Sequence, residues 1–133
     1  VGVAAAVQQA MADRDERHTR LAGLRDQLWN GLKAQLPSVE RNGAAAPRLA
    51  HNLNITLPGM SGSRLHRSLR PHLACSSGSA CSNGAPSHVL LAIGRSRADA
   101  EASLRLSLGR STTADAVDQA IASIVEAVAA QQS

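Results

Sequence analysis

Segments with the apolar period of a helix alternate along this chain with segments that have the period of a strand. Apolar residues three or four apart run from Val3 to Met11, from Leu21 to Leu36 and from Val117 to Val128, as on one face of a helix. Residues 13–20 between the first two stripes have no apolar face, so residues 3–36 are predicted to form one long helix or two end to end. Residues 51–57 and 104–108 instead alternate polar and apolar side chains, as in half-buried strands. This order is typical of a small α+β domain. We predict a short three- to four-stranded, mostly antiparallel sheet covered by helices on one side.

Shorter elements are predicted from capping residues and helix breakers. A hydroxyl at the start of a helix accepts a backbone N–H, and Pro is tolerated in the first turn but ends a helix elsewhere. On this basis, helices are predicted to begin at Ser61 or Ser63, at Pro86-Ser87 and at Thr112. Two further short strands are predicted, one at residues 72–75 and one near Val39.

The core of this domain must be aliphatic, because the chain has no Phe, no Tyr and a single Trp. RNA-binding modules that stack bases on aromatic side chains are therefore excluded. No apolar run is long enough for a transmembrane helix. Two cysteines are too few for a disulfide scaffold, and no Cys/His spacing matches a zinc site.

The net charge of +4 leaves one alternative function open. A basic chain is a candidate for nucleic-acid binding, but here the basic residues are scattered and almost all are arginine, as codon bias in a GC-rich genome would produce. A basic nucleic-acid-binding module is thus supported by charge alone.

The first residues predict that the chain is part of a longer protein. Residues 1–6 lack an initiator Met, a basic segment and the cleavage site of a signal peptide. Their composition is typical of the interior of a helix.

A stretch of very small residues follows Cys75 and contains a second cysteine, Cys81. No side chain from Ser76 to Ala85 is larger than Asn, so this segment cannot anchor itself by burial and is expected to be an exposed, mobile loop. An accessible thiol can act as a nucleophile once it is deprotonated. From the residues alone, an inert cysteine in a flexible loop is an equal alternative.

Several motifs in register resemble one enzyme family. The run SSGSAC at residues 76–81 is followed by PSHVLLAIG at residues 86–94. Segments 24–29, 51–55 and 104–110 agree as well, so the resemblance covers nearly the whole chain. The family is that of the class I pyridoxal-phosphate-dependent cysteine desulfurases of the NifS/IscS type, which mobilise sulfur for iron–sulfur clusters and other thio-compounds.

The resemblance implies two site residues. In the family, a loop thiolate attacks the sulfur of substrate L-cysteine, leaving L-alanine and an enzyme persulfide, and the matching position is Cys81. Arg105 matches the arginine that binds the substrate carboxylate; from the residues alone, an arginine on an apolar strand suggests a structural ion pair. Cys75 is interpreted as a core strand residue. Arg110 and His88 are weaker candidates for a role in the site. His88 is expected to cap a helix or face solvent.

The cofactor implied by the resemblance is pyridoxal 5′-phosphate, but this chain departs from the family in two respects. The only lysine, Lys33, lies between Leu32 and Ala34 on a predicted helix and does not match the family's cofactor lysine. No cofactor-binding or metal-binding residue is therefore assigned, and the chain alone is expected to be inactive. The spacing from Cys81 to Pro86 is also about two residues shorter than the usual pattern.

The resemblance also implies the domain organisation and the partners. Residues 1–20 are expected to lead in from a missing large domain, and residues 21–133 to form a C-terminal small domain that carries the catalytic loop, about residues 75–87. Implied partners are a sulfur-acceptor or scaffold protein and a second copy in a homodimer, with no nucleic acid and no membrane, in the cytoplasm. An alternative from another class is a stand-alone sulfur-carrier or dithiol protein that uses Cys75 and Cys81; the strand predicted at Cys75 argues against it.

Overall fold

The computed structural model describes residues 1–76 and 85–133, and in this part of the chain six helices accompany a three-stranded sheet. The helices are α1 (Gly2–Ala12), α2 (Arg14–Gln35), α3 (Gly62–Leu69), α4 (His88–Ala92), α5 (Arg97–Glu101) and α6 (Ala114–Gln132). The strands are β1 (Glu40–Arg41), β2 (Asn52–Thr56) and β3 (Ser103–Ser107). Both strand pairs are antiparallel, in the order β1-β2-β3. The predicted α+β class is confirmed.

One face of the sheet packs against the helices and contributes side chains to the core. Alternation along β2 and β3 directs Leu53, Ile55, Leu104 and Leu106 to this face, where all four are buried. Helices α2, α3 and α6 supply the remaining aliphatic side chains of the same cluster. Because the core has no Phe or Tyr, its interior is filled by leucine, isoleucine and valine side chains. Many of these come from the two long helices α2 and α6, which pack against each other.

The N-terminal helical region consists of two helices that meet at Asp13. All residues of α1 are exposed, including the stripe Val3, Val7 and Met11, and burial begins at Leu21 within α2. In the described part of the chain, no helix combines the length and the apolar character that crossing a bilayer requires.

The strand predicted at residues 72–75 is wrong. The N–H groups of His72 and Leu73 both donate to the carbonyl of Leu69, at 2.9 Å and 2.8 Å, so the chain turns back onto the end of α3. Only Ser76 reaches the sheet, through one isolated bridge. Groups that complete a helix end are not available for a strand ladder.

Two helix starts also need correction. The cap of α6 is Thr113, which accepts the N–H of Ala116, because the hydroxyl of Thr112 accepts the N–H of Gly109 instead. Helix α5 was missed; Ser96 caps it by accepting the N–H of Asp99. Of the two predicted candidates Ser61 and Ser63, Ser61 is the cap of α3, and the start predicted at Pro86-Ser87 is confirmed with Ser87 as the cap of α4.

Candidate functional site

An isolated backbone pairing at the outer edge of β3 joins two predicted parts of the site. The N–H of Ser76 donates to the carbonyl of Arg105 over 3.2 Å, and the N–H of Arg105 donates to the carbonyl of Ser76 over 2.7 Å. Because β2 occupies the other edge of β3, Ser76 takes the place of a fourth strand. Ser76, the last described residue before the segment that contains Cys81, therefore lies beside Arg105.

The side chain of Arg105 lies on the face of the sheet opposite the core. Its neighbours Leu104 and Leu106 are buried, whereas Arg105 is exposed. In the described part of the chain, no side chain or carbonyl forms a hydrogen bond or ion pair with its guanidinium. The ion pair that an arginine on an apolar strand suggested is thus not found among these residues, and the guanidinium is available to an anion.

A buried polar network fixes the strands next to Arg105. Asn54 faces Arg105 across β2 and β3, and its Oδ1 accepts from Asn42 Nδ2 over 2.7 Å. The hydroxyl oxygens of Thr56 and Ser103 lie 2.8 Å apart, and Thr56 donates to Asn42 Oδ1 over 3.1 Å. Asn42, Thr56 and Ser103 are all buried. Satisfied buried polar groups hold a backbone in one arrangement, so Arg105 projects from a rigid support.

Cys75 packs against the core as a half-buried thiol, although not within a strand. Its Sγ lies 3.7 Å from Nδ1 of His66 in α3. Burial raises the pKa of the Cys75 thiol, so little thiolate forms at neutral pH. Burial also lowers the pKa of His66, an effect that the nearby backbone of Ser103 partly offsets. The Nε2 atom of His66 is buried and has no hydrogen-bond partner in the described part of the chain. This environment favours a structural cysteine over a nucleophile.

Cys81 lies outside the described residues, and so does most of the predicted loop. Its flanks are described. Ser76 is paired with Arg105 on one side, and on the other Ser87 caps α4 by accepting the N–H of Leu90 over 3.4 Å. Both ends of the segment are thus attached to ordered structure.

Lys33 and Arg110 form interactions at the ends of helices, and His88 is exposed. Lys33 Nζ donates to the carbonyls of Pro37 and Val39, over 2.7 Å and 3.1 Å, at the end of α2. Arg110 forms an ion pair of 2.9 Å with Asp13 at the junction of α1 and α2. His88 is exposed at the start of α4, as predicted.

The described residues do not fit a covalently held pyridoxal phosphate or a metal ion. The only lysine amine of the chain is engaged by two carbonyls that complete a helix end. In residues 1–76 and 85–133, no group of three or more His, Cys, Asp or Glu side chains could hold a metal. The chemistry available here is anion binding at Arg105.

Sequence reasoning missed two residues of this region, Ser76 and His66. Ser76 stands in a run of small residues without any period, so nothing in the sequence marks it as the pairing point. His66 lies on a helix whose apolar positions predict only packing. Neither has a sequence signal.

Comparisons with known proteins identify similar chains. A family model described as Aminotransferase class-V matches residues 1–120. An IscS-like cysteine desulfurase of Mycobacterium tuberculosis is 44% identical over 133 residues, covering 97% of this chain and 34% of that protein. The cysteine desulfurase IscS of Shewanella woodyi is 39% identical over 130 residues, covering 96% of this chain and 32% of that protein. The chain thus spans about a third of the length of these curated relatives.

Solved structures agree on the fold. A NifS-like protein superposes with a TM-score of 0.81 at 25% identity, covering 96% of this chain and 32% of the other. A NifS-like protein from Rickettsia africae ESF-5 superposes with a TM-score of 0.77 at 23% identity, covering 89% of this chain and 31% of the other. The resemblance to the NifS/IscS type that the motifs indicated is confirmed.

Proposed function

Because the chain belongs to the aminotransferase class-V family and its relatives are cysteine desulfurases, we propose that it is the small-domain part of a cysteine desulfurase. In this proposal, Arg105 binds the carboxylate of L-cysteine and Cys81 takes up the substrate sulfur as a persulfide. Residues 1–20 connect this part to a large domain that the relatives' greater length accommodates.

The observation that supports this proposal best is the pairing of Ser76 with Arg105. Cys81 follows Ser76 by five residues, and five residues reach at most about 18 Å even when fully extended. Chain connectivity therefore limits how far the thiol can lie from the strand that carries the anion-binding side chain. One substrate molecule needs both groups, one for its carboxylate and one for its sulfur.

Arg105 suits the role of carboxylate ligand. A planar guanidinium donates two parallel hydrogen bonds to a carboxylate, a geometry that a lysine amine does not reproduce. The exposed side chain on a rigid polar support is available for these bonds before substrate arrives. Because the backbone beside Arg105 is already held by this network, no further backbone entropy is lost there on binding.

The proposed chemistry at Cys81 is a sulfur transfer. The Cys81 thiolate forms an S–S bond with the substrate sulfur while the bond from that sulfur to the substrate carbon breaks. The electron pair of the broken bond stays with the carbon, which takes up a proton and becomes L-alanine. A thiolate of the acceptor then attacks the outer sulfur, forms a new S–S bond and restores the Cys81 thiolate.

The remaining parts of the activity belong to the complete enzyme. Pyridoxal phosphate, when bound there, withdraws electrons from the substrate carbon. In this proposal the lysine that holds it lies outside this chain, which is consistent with the hydrogen bonds of Lys33 to the carbonyls of Pro37 and Val39. Inactivity of the chain alone, a homodimer, a sulfur-acceptor or scaffold protein and a cytoplasmic location belong to the same proposal. The dithiol and nucleic-acid alternatives gain no support from the described residues.

Substitution of each cysteine in the complete enzyme tests the proposal. We expect Cys81→Ser to abolish formation of alanine and of an enzyme persulfide, because serine keeps the shape but not the nucleophile. Cys75→Ser is the matched control and should retain both. Loss of persulfide in Cys75→Ser, with Cys81→Ser still active, would contradict the assignment.

A further inference from the structure

Beside the edge strand β1 lies an open groove that plays no part in the site described above. Its volume is about 530 Å³. We call it the arginine groove; it is lined by Arg41, Gly43, Ala44, Ile93, Gly94 and Arg95. It combines the β1 edge with the end of α4, two places far apart in the sequence.

Positive charge is concentrated around the arginine groove. The Arg41 guanidinium lies 5.1 Å from the centre of the Trp29 ring, and in the described part of the chain no carboxylate pairs with it. Arg95 forms an ion pair with Glu40 and also donates to the carbonyl of Arg41 over 3.3 Å. Next to the groove, Arg48 donates to the carbonyl of the lining residue Ala44 over 3.4 Å.

Like charges lie close together around Arg48, next to the groove. Burial lowers the pKa of Arg48, and the charges of Arg41 and Arg25 lower it further, while Asp26 offsets part of the effect. The Nε of Arg48 is buried without a partner in the described part of the chain. An added anion would relieve this repulsion, so the groove favours a negatively charged ligand.

The groove also has an exposed apolar side chain at Ile93, close to further exposed aliphatic side chains of α4. Ile93, which lines it, is 53% exposed, and the neighbouring Val89 and Leu91 of α4 are 55% and 42% exposed. Exposed aliphatic side chains beside an arginine such as Arg41, with which no carboxylate pairs in the described part of the chain, are typical of a protein interface with an apolar part and a polar rim. They contribute nothing to binding a free small anion.

We propose that the arginine groove binds an acidic segment of the protein that accepts sulfur from Cys81, an inference that rests on the proposed function above. The segment would place carboxylates against Arg41 and Arg95 and an aliphatic side chain against Ile93. The arginines complement the carboxylates of such a segment, and the adjacent apolar side chain complements its aliphatic part.

The position of the groove supports this occupant. Helix α4 follows the segment of Cys81 along the chain, with only residues 85–87 between them in the described part. Across the sheet, β1 and Ser76 lie at opposite edges, three strand spacings or about 14 Å apart. A standard interface is roughly 30 Å across, so one partner can cover both edges.

A nucleic acid fits the groove less well. Single strands bind through aromatic stacking as well as charge, and the only aromatic ring near the groove is Trp29, whose face is covered by Arg41. The exposed side chain of Ile93 would find no apolar partner on a phosphate backbone. An acidic protein segment uses both features.

Binding of a defined peptide tests the proposal. The probe is a dye-labelled short peptide of Glu and Leu, compared with a matched peptide in which Gln replaces every Glu, and binding to the complete protein is followed by fluorescence anisotropy. Each of Arg41→Gln and Arg95→Gln should weaken binding by about tenfold or more, because each removes a charged hydrogen bond. Ile93→Ser should weaken it as well. Added salt should weaken it further.

Arg97→Gln is the matched control. It removes the same charge from α5, where Arg97 pairs with Glu101 outside the groove, and it should leave binding unchanged. Equal losses in all the arginine variants, equal binding of the Gln peptide, or tighter binding of a uridine oligonucleotide at the same arginines would overturn the proposal.

Desulfuration with dithiothreitol as the sulfur acceptor separates this inference from the proposed function. It needs no protein partner, so Arg41→Gln and Arg95→Gln should retain it fully. Its absence from the unsubstituted enzyme would contradict the proposed function, whereas loss confined to the groove variants would overturn the inference. Peptide binding reports on the groove in either case.

Discussion

The two faces of the sheet differ in what their side chains do. On one face, Leu53, Ile55, Leu104 and Leu106 are buried under three helices and form the core. On the other, a buried network at Asn42, Thr56 and Ser103 gives way to the exposed Arg105. The same strands thus provide stability on one side and an available charge on the other. Substitutions on the two faces should therefore change different properties.

The largest effect on stability is expected on the apolar face. Leu104 is fully buried, so Leu104→Ala removes apolar contacts and leaves a cavity, which should lower the free energy of unfolding by about 2–5 kcal/mol. Urea denaturation of the chain measures this. Ser107→Ala, at an exposed position of the same strand, is the control and should change it by less than about 0.5 kcal/mol. Similar losses in both variants would contradict the division between the faces.

A smaller loss is expected in the polar network. Thr56→Val keeps the shape but removes the hydroxyl that donates to Asn42 and contacts Ser103, so buried polar groups lose a partner. We expect a loss of about 1–3 kcal/mol in the free energy of unfolding. Thr56→Ser keeps the hydroxyl and should be milder by urea denaturation. If serine costs as much as valine, packing rather than hydrogen bonding holds this face.

The effect of acidification at His66 should be smaller still. Burial lowers its pKa in the folded chain below the ordinary value of 6.5, so the unfolded chain binds the proton more readily. The corresponding stabilisation is complete above pH 6.5 and is lost as the pH falls below it. The urea midpoint of His66→Gln should therefore depend less on pH between about 7.5 and 5. His18→Gln, at an exposed site, is the control, and an unchanged pH slope in His66→Gln would refute this role.

Much of the fold was predictable because its signals are local. The leucine stripe of α2, the alternation in β3 and the caps Ser61 and Ser87 each act over a few residues, and all are confirmed. The missed α5 also has a local signal, since Ser96 is followed three residues later by Asp99. Local patterns of capping and period were thus sufficient to predict these elements.

The pairing in the site could not be predicted in the same way. Ser76 pairs with Arg105, which lies 29 positions later in the sequence. No feature of a run of small residues indicates which of them pairs with the sheet. The false strand at residues 72–75 has a similar cause, because the carbonyl of Leu69 holds this segment at the end of α3. Competition between a helix end and a sheet edge is decided by tertiary contacts. The assignments of Arg105 and Cys81 came from family resemblance and stay predictions.

Arg105→Lys tests the central claim most directly when unfolding and kinetics are measured together. Lysine keeps the charge but loses the two parallel hydrogen bonds, so kcat/KM for L-cysteine in the complete enzyme should fall by roughly ten- to a thousand-fold. The free energy of unfolding should change by less than about 0.5 kcal/mol, since the exposed guanidinium has no partner in the described part of the chain. A variant that loses stability yet keeps its kcat/KM would contradict the account. It would make Arg105 a structural residue and transfer the carboxylate role elsewhere, with Arg110 the next candidate.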